Sequence, residues 1–201
     1  MTQSLTVMLL LLLGFPIFGS DNYVPKLSKD GKLNQLTQYP DSVPLEVATF
    51  AAGCFWGVES AYRQTKGVTK TVVGYTGGQK EKPTYYQVSS GNTGHAEAVQ
   101  VTFNPKVVSY DELLAIFWKV HDPTQVNRQG PDVGTQYRSA VFFHSEAQKK
   151  SVEESIEALK KSGEYSKPIA TQVVAEKTFY PAEEYHQQYF EKIAKRRFGI
   201  K

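Results

Sequence analysis

Glu46-Val47-Ala48-Thr49-Phe50-Ala51-Ala52-Gly53-Cys54-Phe55-Trp56-Gly57 is the stretch on which the reading of this chain turns. Its first seven residues read as a strand that runs into Gly53. Beyond the glycine, Phe55, Val58, Ala61 and Tyr62 recur at helical spacing as far as Gln64. Strand, glycine, cysteine and helix put Cys54 at a strand-to-helix junction. There its sulfur would lie near the positive end of the helix dipole, which is expected to lower the thiol pKa. Gly53 and Gly57 are expected to leave backbone space around the sulfur. Phe55 and Trp56 fall off the helix face that carries Cys54, so at least one is expected to wall an apolar pocket. The alternative places both in the core, and for Phe55 alone that alternative is the stronger.

Outward from this segment, strands and helices are interspersed. Val68 to Tyr75 is β-branched and strand-like, and it ends in Gly77-Gly78. Glu97 to Phe103 alternates as a half-buried strand does, with Ala98 out of phase. Ser109 and Glu112 form a capping box ahead of the apolar series Leu113, Leu114, Ile116, Phe117 and Val120. Asp122 to Gln136 is rich in Pro, Gly and Asn and reads as a long loop. Ser139 to His144 is a further strand. Ser145 with Gln148 opens a helix to about Lys161, Ile169 to Ala175 is a strand, and Ala182 to Arg197 reads as the last helix. The pattern predicts an α+β sandwich of one sheet and helices.

The 201 residues, 40% hydrophobic and 12% aromatic, suit one globular domain. A net charge of +3 is mild, and the short basic tail at Lys195, Arg196 and Arg197 reads as a solvated terminus rather than a nucleic-acid site. Residues 1–20 carry no charged side chain, and Leu5 to Phe18 is almost wholly apolar before Gly19 and Ser20. That run is too short for a bilayer-spanning helix and fits a signal peptide, although no Lys or Arg precedes Leu5. An uncleaved anchor is the lesser alternative. The expectation is an exported, periplasmic or extracellular protein without stable membrane insertion. Residues 21–45 read as a linker or arm and 46–201 as the catalytic domain. Cys54 is the only cysteine. An oxidising compartment endangers a lone thiol, so its retention points to a task. On cysteine count alone a small buried hydrophobe is an equal reading.

Gly53-Cys54-Phe55-Trp56-Gly57 resembles the signature of the A-type peptide methionine sulfoxide reductases. The likeness continues through Gly74-Tyr75-Thr76-Gly77-Gly78, Pro83-Thr84-Tyr85, Gly94-His95-Ala96-Glu97-Ala98, His121-Asp122-Pro123 and Gly134-Thr135-Gln136-Tyr137-Arg138-Ser139. The blocks run in order from about Val47 to Arg197. The resemblance implies a mixed sheet packed with helices in a two-layer, ferredoxin-like sandwich. It implies that Cys54 attacks the sulfur of a methionine S-sulfoxide and becomes a sulfenic acid. Glu97 would be the proton donor, with Tyr85 and Tyr137 as hydrogen-bond donors to the sulfoxide oxygen. Phe55 and Trp56 would enclose the S-methyl group, and Asp132 would help bind and orient. Expected partners are oxidised proteins or peptides bearing the sulfoxide. No bound cofactor or metal is expected, and the chain is taken as a monomer by default. Many relatives carry further cysteines that resolve the sulfenic acid, and this chain has none. An external thiol is therefore expected to regenerate Cys54: a thioredoxin-like protein, glutaredoxin or a small thiol.

Two rival readings remain, and one falls at once. His95-Ala96-Glu97 resembles half of a zinc deaminase site, but the second half needs two more cysteines. A Cys-His hydrolase would use Cys54 as acyl acceptor with His95 or His121 as base. It leaves Glu97 and the tyrosines without a joint role. A peptide-binding module would grip its ligand with aromatics and have no need of Cys54. His121, His144 and His186 lack ligand spacing and read as structural, with His121 a candidate support of the active-site loop.

Overall fold

A computed structural model describes residues 44–199. The leader at 1–20, all but the end of the arm at 21–45, and the last two residues of the expected catalytic domain lie outside the described residues. The first half of the described chain runs β1 (Glu46–Ala52), α1 (Phe55–Arg63), β2 (Val68–Thr76), α2 (Tyr85–Ser89), β3 (Ala96–Phe103) and α3 (Tyr110–Val120). The second half runs β4 (Arg128–Gln129), β5 (Asp132–Val133), a 3-10 turn at Thr135–Tyr137, β6 (Ser139–Phe143), α4 (Glu146–Ser162), β7 (Gln172–Ala175), β8 (Tyr180–Pro181) and α5 (Tyr189–Phe198).

Six strands form one mixed sheet in the order β7-β6-β1-β3-β2-β8, and β4 pairs with β5 in a separate hairpin. Every pairing in the large sheet is antiparallel except β6 with β7. The helices cover one face. Phe50 of β1 stacks on Tyr62 of α1 at 5.1 Å between centroids and on Phe117 of α3 at 5.4 Å. The Tyr62 hydroxyl donates to the Leu113 carbonyl, so this buried phenol leaves no polar group unpaired. The helix starts follow the sequence. Ser109 Oγ accepts from the Glu112 N–H while Glu112 Oε2 accepts from the Ser109 N–H, closing the capping box of α3. Ser145 caps α4 through the Gln148 N–H, but the Gln148 amide turns away to bond His144 and the Val47 carbonyl, tying α4 to β1.

Three elements differ from the sequence reading. Ala98 is not out of phase: the sheet's other face is covered too, by a small cluster of Ala51, Ala96, Ala98, Ala140 and Phe142 with Phe179 packed on it. β3 is therefore a central strand buried on both sides over its first half, and alternation of polarity is lost there. Gly74 answers the same packing, since a Cβ there would collide with the Tyr180 carbonyl and the Phe179 ring. The last helix begins at Tyr189 rather than Ala182. Edge strand β2 needs partners for its main chain, and residues 180–187 supply them. β8 pairs with Gly74 and Tyr75, the Ala182 N–H donates to the Val73 carbonyl, and the Gln187 amide bonds both the N–H and the carbonyl of Val73. Finally, the long loop from Asp122 contains the β4–β5 hairpin and the 3-10 turn, and α2 is a short helix that the spacing does not announce.

Phe50→Ala removes the ring that joins β1, α1 and α3 and is expected to cost about 3–5 kcal/mol in equilibrium urea unfolding. A loss below about 1 kcal/mol would show that this stack does not hold the two layers together.

Candidate active site

Cys54 is the N-cap residue of α1, as the sequence predicts. Gly53 makes the turn possible. Its φ is +91°, and a Cβ there would lie 2.7 Å from Gln129 Cβ. The glycine thus admits a close approach of the β4–β5 hairpin, rather than opening space around the sulfur. Gly57, with nothing within 4 Å of a Cβ position, is the open one. The hairpin is held in turn by Gln129, whose amide donates to the Asp122 carbonyl and accepts from the Asp122 N–H. Because Gln129 pairs with Asp132 across the hairpin, Asp132 is carried to the cysteine.

The expected fall in thiol pKa does not occur. Burial pushes the Cys54 thiol up to about 11, and the charges of Glu97 and Asp132 add to the rise. The N–H groups of Trp56 and Gly57 act in the direction expected of a helix start, but they are outweighed. Local geometry was read rightly; the carboxylates arrive from β3 and β5, far along the chain.

Glu97 stands near the start of β3 on the helix-covered face, 2% exposed. The Phe55 N–H, at the first turn of α1, donates to its Oε2 at 3.1 Å. Burial raises the carboxyl to about 7 against that stabilising bond, and Asp132 raises it further. A carboxylic acid that keeps its proton near neutrality is therefore seated beside a buried thiol.

Tyr85 and Tyr137 reach the same place from α2 and from the 3-10 turn. Tyr137 is raised to about 12, first by burial and then by the charges of Glu97, Tyr85, Asp132 and Cys54. All five groups thus lie within electrostatic reach of one another, and Tyr137 stays a phenol able to donate. Phe55 is 1% exposed and serves the core as well as the site. Trp56 is half-buried, with Tyr189 stacked on it at 3.7 Å. One aromatic is therefore core and the other wall.

Two supports of the site escaped the sequence reading. The Glu183 carboxylate accepts from the Tyr85 N–H and from the Tyr75 hydroxyl, each at 2.9 Å, and so seats the first residue of α2. His186 Nδ1 accepts from Trp56 Nε1 at 3.1 Å, and its ring lies 4.4 Å from that of Tyr85. With Nδ1 accepting, Nε2 carries the proton, and this buried N–H has no partner. Both residues fall in the segment misread as helix, where their spacing says nothing about the site.

The other histidines are structural. His121 Nδ1–H donates to the Phe117 carbonyl, and Nε2 accepts from Ser139 Oγ. Burial holds His121 down to about 4, and the residue anchors the end of α3 at the start of the active-site loop. His95 accepts from the Gly78 N–H and donates to the Lys80 carbonyl. Neither ring has a nitrogen left to deprotonate Cys54, which removes the base that a Cys-His hydrolase needs. Among the described residues no three His, Cys, Asp or Glu side chains converge as metal ligands would.

The comparisons agree with this geometry. The family model for peptide methionine sulfoxide reductase matches residues 46–200. The peptide methionine sulfoxide reductase MsrA of Methanosarcina acetivorans is 64% identical over 148 residues, which is 74% of this chain and 79% of that protein. Among solved structures, reduced Mxr1 from Saccharomyces cerevisiae is 41% identical with a TM-score of 0.70, covering 76% of this chain and 87% of that one. Mxr1 in complex with Trx2 matches at 32% identity and a TM-score of 0.53, over 74% of this chain and 87% of that one. This chain belongs to the peptide methionine sulfoxide reductase family.

Proposed function

We propose that the protein reduces methionine S-sulfoxide in oxidised proteins to methionine, with Cys54 as nucleophile and Glu97 as proton donor. The observation that carries this reading is the seating of a buried carboxylic acid and two phenols around one buried thiol at a helix start. A sulfoxide oxygen must gain protons as its bond to sulfur breaks, because bare oxide is not a leaving group. Glu97 protonates it, while Tyr85 and Tyr137 hold it by hydrogen bonds. Phe55 and Trp56 take the S-methyl group, and Asp132 helps orient the substrate. Cys54 loses its proton and attacks the sulfoxide sulfur. In balance, sulfoxide and thiol become thioether and Cys54 sulfenic acid: the substrate sulfur is reduced by two electrons and the Cys54 sulfur oxidised by two.

With one cysteine in the chain, the sulfenic acid is regenerated from outside. A first thiol condenses with it, releasing water and leaving a mixed disulfide; a second thiol attacks that disulfide and frees Cys54. The complex of the yeast relative Mxr1 with Trx2 favours a thioredoxin-like donor, with glutaredoxin or a small thiol as the other candidates. The apolar leader at 1–20 supports an exported enzyme working in the periplasm or outside the cell.

Cys54→Ser is expected to abolish reduction of a sulfoxide peptide in the presence of dithiothreitol, and residual turnover would remove Cys54 from the nucleophile's role. Glu97→Gln keeps an acceptor for the Phe55 N–H but has no acidic proton. It is expected to slow the reaction by on the order of 10²–10⁴-fold in the same assay. An unchanged rate would move proton donation to a phenol.

The thiol offers an independent check. Glu97 is ionised above about pH 7, and its negative charge opposes formation of the Cys54 thiolate. Glu97→Gln removes that charge, so the pH profile of Cys54 alkylation by iodoacetamide is expected to move toward lower pH. Burial is the larger cause and persists, so the profile should stay above that of an ordinary thiol. An unmoved profile would mean that the two groups do not interact.

A further inference from the structure

An unbroken series of ring contacts crosses the active site. Tyr86 meets Tyr85 at 6.0 Å, Tyr85 meets His186 at 4.4 Å, and Tyr185 meets His186 at 4.1 Å. His186 meets Trp56 at 5.7 Å, Trp56 is stacked by Tyr189 at 3.7 Å, and Tyr189 meets Phe190 at 5.7 Å. The middle of this ridge, Trp56 and Tyr85, belongs to the site. Its ends do not, and they face solvent: Tyr86 is 82% exposed, Tyr185 56% and Phe190 49%. Scattered exposed aromatics need no explanation, but a contiguous ridge continuous with a catalytic pocket does. The charged side chains beside it are paired among themselves, Arg63 with Glu191 and Lys192 with Glu184. The apolar surface is what remains to be covered.

We propose that the ends of this ridge, Tyr86 and Tyr185 on one side of Trp56 and Phe190 on the other, dock the apolar residues that flank methionine sulfoxide in an unfolded polypeptide. The inference rests on the reading of Cys54 as the sulfoxide reductant. A methionine side chain that reaches Cys54 leaves its own main chain at the pocket mouth, and the neighbouring residues are then carried over the ridge. An extended chain advances about 3.3–3.6 Å per residue, so only a few residues on each side are needed. Those residues are apolar in most clients, because methionine sits in protein interiors and its sulfoxide disrupts them. Ring stacking already holds Tyr85, Trp56 and Tyr189 in place, so little conformational freedom is lost on docking. The substrate class that follows is methionine sulfoxide in unfolded apolar segments, in preference to the free amino acid.

The test is single-turnover reduction by the pre-reduced protein, with no external thiol, of three substrates: N-acetylmethionine sulfoxide methylamide, a peptide with Leu and Phe flanks, and one with Ser flanks. The unmodified protein is expected to favour the apolar peptide over the Ser peptide by about tenfold or more in kcat/KM. The double variant Tyr86→Ser, Phe190→Ser should lose most of that preference while reducing the methylamide within about twofold of the original rate, which also shows that it is folded. Equal loss on all three substrates, or no loss on any, would overturn the proposal. So would a double variant unchanged on substrates but slowed in reduction of its Cys54 sulfenic acid by thioredoxin, since the ridge would then serve the reductant. Failure of the unmodified protein to reduce any of the three would overturn the reading of Cys54 itself, and the docking proposal with it.

Discussion

The hydrogen bond from the Phe55 N–H to Glu97 Oε2 is the contact on which the site depends. It joins the first turn of α1 to the central strand, and it sets the carboxyl against the residue that follows the nucleophile. Burial alone would raise Glu97 further; this one donor limits the rise and leaves the acid near 7. The bond exists only because β1 ends in a left-handed Gly53, which turns the chain sharply enough for α1 to begin at once. A single turn thus fixes both where the sulfur sits and which proton lies beside it.

Around that bond the protein places its support at a distance in sequence. Gln129 packs on Gly53 and brings Asp132; Glu183 seats Tyr85; His186 accepts from the Trp56 indole. The segment 180–188 also completes the edge of β2, and it ends where the Gln188 N–H meets the buried Glu59 carboxylate. The same stretch therefore closes the sheet and holds the aromatic wall. Its departure from helix, into a path that bonds the β2 edge, is what brings His186 under the tryptophan.

The parts legible from sequence are those governed by local rules. The β1–Gly53–Cys54–α1 junction, the capped starts of α3 and α4 and the apolar strands follow from periodicity and capping residues a few positions apart. Cys54, Glu97, Tyr85, Tyr137 and Asp132 were named through ordered motif blocks, and the structure brings these side chains within electrostatic reach of one another. What was not legible depends on partners far along the chain. The direction of the Cys54 shift was misread because burial and two remote carboxylates outweigh a helix start. Ala98 looked out of phase because nothing local reveals that Phe142 and Phe179 cover the second face of the sheet. Glu183 and His186 sat in a helical-looking run whose true path is set by the unpaired edge of β2.

The central claim is that one thiol takes up the sulfoxide oxygen without a second cysteine. It is tested most directly by mixing the reduced protein with excess peptide methionine S-sulfoxide in the absence of any other thiol, with dimedone present. The account predicts one methionine formed per protein molecule and a dimedone adduct on Cys54, with the R-epimer unchanged. Methionine formed while Cys54 remains a free thiol, or a Cys54 thiol and S-sulfoxide that both persist, would contradict it.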